Sequence, residues 1–359
     1  MARLDALLAS LRDQGGSDLH LVAGSPPRMR CRGSLGVVEG QSEISDESLR
    51  AMMREIVSES QWRTYQGGWD LDFAYSVPGM ARFRGNYLFQ ETGVAAVFRI
   101  IPDEILSLED LELPAAIASL TQIEKGLVLV TGPTGSGKST TLAAIIDAIN
   151  RSHARHIVTI EDPVEFVHSN RKSVLSHREV GNHTRGFDAA LRAVVRQDAD
   201  VILVGEMRDR QTIALAITAA EMGLLVFGTL HTNSATKTVD RIIDAFPAAE
   251  QNQVRISLSE SLAGVVSQLL LPTSDGKGRC AVHEILLRTQ GLPNVIREGN
   301  TPMLNSIIQS GKALGMQSMD DALMACVKNG KVLPANAYAK AADKARFESL
   351  LPEEEKSAA

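Results

Sequence analysis

Aromatic residues make up only 4% of this 359-residue chain, Trp occurs twice and Cys three times. So thin an aromatic complement gives no row of rings on which bases could stack. The balance of 37 Lys plus Arg against 43 Asp plus Glu, a net charge of -6, leaves no basic surplus for a polyanion. Nucleic acid is therefore not an expected partner. Cys31, Cys280 and Cys326 form neither a C-x-x-C pair nor an even-numbered framework, which argues against a zinc site or a disulfide scaffold and fits a reduced, cytosolic compartment. Long apolar runs are missing as well, since none approaches the roughly 18 to 20 residues that span a bilayer. The opening "MARLDALLASLRDQGG" carries Asp5 and Asp13 among apolar residues at helical spacing, and reads as neither signal peptide nor anchor. Any membrane contact is expected to run through a partner, with no direct insertion.

What is present is a 44% hydrophobic content, enough for a sizeable core and more naturally two domains than one. The first hundred residues read as α+β. A short amphipathic helix over about Leu4 to Arg12 precedes the alternating strand "SDLHLVAG" and a hairpin, "PPRMRCRGSLGVVEG", punctuated by Gly33 and Gly36. A helix is expected from Ser45 or Asp46, where either side chain can cap the first N–H groups. Three more strands follow in "DLDFAYSV", "ARFRGNYLFQ" and "GVAAVFRIIP". The acidic, proline-bounded "PDEILSLEDLELP" is the linker expected over 102–114, which separates a domain of residues 1–101 from one of 115–359.

Beyond the linker, "GLVLVTG", "HIVTIEDP", "VILVGEM" and "LLVFGTLH" alternate with helical stretches, the signature of a parallel sheet covered on both faces. The chain from about Pro293 to Ala342 reads as entirely helical, and the "EEEKSAA" tail as frayed. The expected class is α/β.

The chemistry sits at the ends of those strands. "GPTGSGKST" satisfies G-x-x-x-x-G-K-[ST] through Gly132, Gly137, Lys138 and Ser139, with a strand running in and a helix running out. Such a loop, here Gly132, Thr134, Gly135, Ser136, Gly137, Lys138, Ser139 and Thr140, curls backbone N–H groups around phosphates. Lys138 bridges terminal phosphates and the Ser139 hydroxyl is offered to magnesium, which makes a nucleotide with Mg2+ the expected ligand. Hydrolysis also needs a carboxylate at another strand end. Glu206 follows "VILV", where it can hold magnesium or orient the attacking water. Glu161, Asp162 and Glu165 follow "HIVTI", and His231 closes "LLVFGTL". Isolated histidines are more often structural; three polar strand ends meeting at one sheet edge favour a site.

These segments resemble the Walker A, Asp box, Walker B and His box of the secretion and pilus ATPases: "GLVLVTGPTGSGKSTTLAAIID", "HIVTIEDPVEFVH", "RQDADVILVGEMRD" and "FGTLHTNSATKT". With "SDLHLVAGSPPRMR", "ARFRGN", "VFRIIP" and "GMQSMDDAL", the likeness covers nearly the whole chain and is greatest to the type IV pilus retraction (twitching motility) branch. The resemblance implies a PAS-like N-terminal domain, a RecA-like ATPase domain with C-terminal helices, and a homohexameric ring. It implies Glu206 as catalytic base, Glu161, Asp162 and Glu165 as an acidic box, and His231 as γ-phosphate sensor. Arg82, Arg84 and Arg99 would bring positive charge from the N-terminal domain, because the planar guanidinium fork fits phosphate oxygens. The implied partners are an inner-membrane pilus platform protein and a paralogous pilus ATPase, in a cytoplasmic location peripheral to that membrane.

Extension and type II secretion relatives carry extra N-terminal domains and a tetracysteine segment; this chain has neither, which favours retraction. Against that, the retraction element "AIRNLIRE" aligns with "GLPNVIRE", where Pro293 replaces an Arg and is tolerated only in a helix's first turn. Three readings follow: a motor that powers pilus retraction, an accessory or regulatory ring subunit that binds ATP and hydrolyses little, and a nucleic-acid motor, which the composition disfavours.

Overall fold

The computed structural model describes residues 2–31, 33–68, 70–101 and 104–351. The first two linker positions and the tail from 352 lie outside the described residues. The chain divides into two compact units, Met1–Glu104 with Pro163–Val167, and Ile105–Asp162 with His168–Ala359.

In the first unit, helix α1 (Arg3–Asp13) buries Leu4, Leu7, Leu8 and Leu11, the spacing of one helical face. Strand β1 (Asp18–Val22) leads to the hairpin β2 (Arg28–Cys31) and β3 (Ser34–Val37), with Gly33 in the turn at φ 87° and Gly36 inside β3, paired with Met29. Helix α2 (Asp46–Glu55) starts where the sequence predicts, the Ser45 hydroxyl accepting from the Ser48 N–H. Helix α3 (Glu59–Gly68) was not predicted, because its polar sequence buries only Trp62 and Tyr65. Strands β4 (Asp70–Val77), β5 (Ala81–Gln90) and β6 (Gly93–Ile101) complete an antiparallel sheet of order β3-β2-β1-β6-β5-β4. The scarce aromatics concentrate here: Tyr65, Phe73, Phe83, Tyr87 and Phe98 form the centre of the core. Each fully buried ring contributes about 1.5–3 kcal/mol. Gly85 lies under Phe73, whose ring stands 2.6 Å from where a Cβ would be, so any side chain there displaces the ring.

In the second unit, α4 (Ala115–Ser119) precedes β7 (Gly126–Thr131), α5 (Lys138–Ser152), β8 (His156–Glu161), β9 (Val174–Glu179), α6 (Phe187–Val194), β10 (Val201–Val204), α7 (Arg210–Glu221), β11 (Leu225–Leu230), α8 (Ala235–Asp244), α9 (Ala248–Ser261), β12 (Leu262–Pro272) and β13 (Arg279–Leu287). The sheet order is β13-β12-β7-β11-β10-β8-β9, parallel except between β12 and β13. Every residue of β7 and β11 is buried, so alternate side chains feed two apolar layers. Val128, Val130 and Phe227 pack with Leu142, Ile145 and Ile149 of α5. On the other face, Leu127, Leu129 and Val226 pack with Ile213, Ile217, Val239, Ile242 and Leu258 of α7, α8 and α9.

Strands β9, β12 and β13 escaped the reading of the sequence. β9, "VLSHRE", is half polar, and the apolar run of β12 is interrupted by Ser267 and Gln268, both buried. The C-terminal helices α10 (Leu292–Arg297), α11 (Leu304–Ser310), α12 (Met319–Lys328), α13 (Pro334–Lys340) and α14 (Ala345–Glu348) agree with the all-helical expectation. Pro293 falls in the first turn of α10, where its missing N–H breaks no helical bond, and Leu292 and Ile296 remain buried. Among the described residues, no helix is long and apolar enough to cross a membrane.

Candidate nucleotide site

The carboxyl ends of four adjacent strands carry the phosphate loop, His231, Glu206 and Glu161. Thr131 of β7 pairs with Leu230 of β11, and the Gly132 N–H continues the ladder to the Leu230 carbonyl at 3.2 Å, so His231 lies beside the mouth of the loop. Val204 of β10 pairs with Gly228 on one side and Ile160 on the other, and the Gly205 N–H reaches the Ile160 carbonyl at 2.8 Å. Glu161 and Glu206 therefore occupy neighbouring strand ends, with β11 between Glu206 and the phosphate loop.

The loop is shaped by its glycines. Gly132, Gly135 and Gly137 have φ of 148°, 76° and 85°, and a Cβ on Gly132 would stand 2.3 Å from the Gln268 carbonyl. Gly137 is the N-cap of α5, so Lys138, Ser139 and Thr140 occupy its first turn, where free N–H groups and the helix dipole favour an anion. Pro133, Thr134 and Gly135 are exposed and Ser136 is buried. Lys138 Nζ donates to the carbonyls of Gly132 and Pro133 at 2.9 and 3.0 Å, which folds its ammonium over the loop.

Glu206 is mostly covered, and its Oε1 accepts from Arg208 Nε at 2.5 Å and His231 Nε2 at 2.8 Å. Burial pushes this carboxyl up, but the hydrogen bonds and charges of Arg208 and His231 outweigh it and hold the group below the usual Glu range. An ionised acceptor requires the His231 proton on Nε2. Arg208 is held above its ordinary value chiefly by the Glu206 bond, with Asp162 adding to the same field.

The acidic box is spread out. Glu161 is buried at the end of β8, level with the buried Glu179 of β9, whereas Asp162 is exposed. Glu165, half-buried, belongs to the 163–167 stretch that groups with the first unit. Among the described residues, no three His, Cys, Asp or Glu side chains form a metal cluster. A divalent cation would draw on the Ser139 hydroxyl and the ligand's own phosphate oxygens, the donor set that suits Mg2+.

Arg82, Arg84 and Arg99 belong to the first unit and share a sheet face. Arg82 and Arg84 are two apart on β5, and Arg84 pairs directly with Arg99 of β6. Arg84 lies 3.7 Å from Asp72 and Arg99 Nε donates to Asp18 at 2.8 Å.

Two residues close to the site were missed. Arg208 stands two positions after Glu206, within "VILVGEMRD". Gln268, buried on β12, donates through Nε2 to the Ser136 carbonyl at 2.6 Å and accepts from Thr141 Oγ1 at 2.8 Å. It clamps the loop and the first turns of α5 to the sheet; the only signal in the sequence was an amide within an apolar run. Replacing Gln268 by Leu strands two buried polar groups at about 1–3 kcal/mol each. We expect a lower unfolding midpoint and nucleotide binding about tenfold weaker in a fluorescent-ADP titration; unchanged affinity would contradict the clamp.

Cavities of about 410 and 510 Å3 lie elsewhere, lined by Asp200 and Leu224 in one case and Gly126 and Ala263 in the other. These residues mark the amino ends of the parallel strands, whereas such sheets bind ligands at the carboxyl ends.

A glycine loop between β7 and α5, with a carboxylate one strand removed, defines a phosphate-loop nucleotide-binding protein with a RecA-like sheet. The chain belongs to the type II/IV secretion system protein family, whose model matches residues 70–333. It is 49% identical over 320 residues to a twitching motility protein of Neisseria gonorrhoeae, covering 89% of this chain and 85% of the relative. To the Pseudomonas aeruginosa type IV pilus retraction ATPase PilT it is 48% identical over 335 residues, 93% of this chain and 97% of that one. The type IV pilus ATPase PilU of the same species is 39% identical over 337 residues, 94% and 88%. A crystal structure of the pilus retraction motor PilT with bound ADP superimposes with a TM-score of 0.89 at 40% identity, covering 97% of this chain and 99% of that chain.

Proposed function

We propose that this chain is a motor ATPase that hydrolyses ATP, with Mg2+, to power type IV pilus retraction. The observation that carries the reading is the strand-end carboxylate Glu206, bonded to His231, one strand away from the loop that begins at Gly132. In operation the loop N–H groups hold the phosphates and Lys138 moves its ammonium from the loop carbonyls to the terminal oxygens. Magnesium, when bound with ATP, neutralises charge on those oxygens. His231 turns from Glu206 towards the γ-phosphate, and the carboxylate, which Arg208 still holds, orients water and accepts its proton. Glu161, Asp162 and Glu165 supply the acidic surroundings, and Ser139 the hydroxyl for the metal.

The domains of this reading are 1–101, a linker at 102–114 and 115–359, assembled as a homohexamer. Arg82, Arg84 and Arg99 bring charge to the site from the N-terminal domain, so that nucleotide occupancy selects between domain arrangements and hydrolysis releases the choice. The ring works in the cytoplasm against an inner-membrane platform protein and beside a paralogous pilus ATPase. Higher identity to PilT than to PilU supports the main motor over the accessory role, as does the intact Glu206. Pro293 is the one feature that favours the accessory reading. Complementation decides between them: cells lacking the protein should keep long pili that do not retract, and the wild-type chain should restore twitching. Normal twitching in the deletion strain would assign it the accessory part.

A further inference from the structure

Two of the three cysteines meet in the folded chain. Cys280 lies on β13 and Cys326 in the last turn of α12, 46 residues further on, and their Sγ atoms stand 3.9 Å apart. Cys31, on β2, belongs to the other unit. A disulfide needs its sulfurs about 2 Å apart, and turning the two short side chains covers the difference.

The surroundings suit such a bond. Both thiols are half-buried, so a small oxidant reaches them, and they pack on an apolar cluster that includes Leu271, Val282, Leu323 and Phe347. A disulfide carries no S–H group to leave unpaired there. Burial, with Cys280 beside it, pushes the Cys326 thiol up to about 11, and the Lys331 ammonium offsets this only in part. Cys326 therefore rests as a thiol, and Cys280 is the sulfur that meets an oxidant first.

Cys326 is also a junction in the packing. Its carbonyl accepts from the Lys331 N–H at 2.9 Å, which closes the end of α12 around Gly330 at φ 67°. The Lys331 ammonium pairs with Glu112, in the segment that leads into α4. A covalent bond at this point ties together β13, the end of α12 and that segment.

We propose that Cys280 and Cys326 form a redox modification site, in which a hydroperoxide converts the thiol pair into a disulfide that staples α12 to β13. The Cys280 sulfur takes the terminal oxygen of the peroxide, the O–O bond breaks, and an alcohol leaves, or water in the case of hydrogen peroxide. The Cys326 sulfur then attacks the Cys280 sulfenic acid. The S–S bond forms, the S–O bond breaks, and the hydroxyl departs as water with the Cys326 proton. Two thiols lose two electrons and the peroxide gains them. Contact between the partners makes the second step intramolecular, which favours it over capture by a separate thiol. A dithiol reductant reverses the bond by exchange.

The test treats the full-length wild-type protein with hydrogen peroxide, alkylates the remaining thiols and maps the peptides by mass spectrometry without reduction. The peptides of Cys280 and Cys326 should appear linked, lighter by two hydrogens, while Cys31 is not joined to either. Dithiothreitol should restore both thiols. Oxidation should raise the unfolding midpoint by about 5 °C and slow hydrogen exchange in 319–331 at least threefold, because the bond closes a long loop. In Cys326→Ser the same treatment should leave Cys280 as a sulfenic acid that dimedone traps, with no change in midpoint. Free thiols at both positions after treatment, or Cys280 joined to a second chain instead, would overturn the site. A disulfide that leaves the midpoint and the exchange of 319–331 unchanged would overturn the staple. The comparison of oxidised and reduced wild type needs no variant to fold.

Discussion

Glu206→Gln is expected to lower steady-state ATP hydrolysis by about a hundredfold or more while nucleotide affinity changes by less than about threefold. The magnitude is that of removing a general base from a formed site, about 10^2 to 10^4 in rate. The asymmetry follows from position. Glu206 closes β10, separated by β11 from the loop that grips the phosphates, so the amide leaves the binding groups in place. The variant also keeps an acceptor for Arg208 and His231, which makes a folding defect unnecessary to explain lost turnover. Single-turnover hydrolysis separates chemistry from release, and a fluorescent-nucleotide titration checks the affinity. In cells, the same variant should fail to restore twitching.

Lys138→Ala is expected to fail one step earlier, with ATP affinity reduced about a hundredfold or more. Hydrogen bonds to charged groups contribute about 1.5–3 kcal/mol each, and the ammonium would make more than one to terminal phosphates. In the present structure Lys138 also bonds the Gly132 and Pro133 carbonyls, so its removal loosens the unliganded loop. Equilibrium binding by calorimetry reads the loss directly. Affinity within tenfold of wild type would place the phosphate grip on the backbone N–H groups rather than on the side chain. The two variants thus separate binding from turnover at one site.

The parts of the site that were legible in the sequence are those written locally. The phosphate loop needs only a strand, a run of glycines and a helix in succession, and Glu206 and His231 announce themselves as polar residues at the ends of short apolar runs. The groups that hold the loop in shape are of another kind. Gln268 is 132 residues from its partner Ser136 and 127 from Thr141. Those meetings exist only once β12 has joined the sheet, and β12 was concealed because Ser267 and Gln268 interrupt its apolar pattern. Helix α3 was hidden for the opposite reason, too few buried side chains to set a period. Pro293 was judged tolerable in one position only, the first turn, and α10 places it there. The face shared by Arg82, Arg84 and Arg99 likewise depends on a register that pairs Arg84 with Arg99, which no single segment contains.

The central claim is that an assembled ring hydrolyses ATP at the phosphate loop, with Glu206, one strand away, as the base. Steady-state ATPase of the purified wild-type chain, measured per chain across a range of protein concentrations with Glu206→Gln as the blank, tests it most directly. The account predicts activity per chain that rises with concentration as the ring forms and vanishes in the variant. Activity no greater than that of the variant, with ATP still bound, would contradict it and make the chain a nucleotide-dependent subunit of another motor.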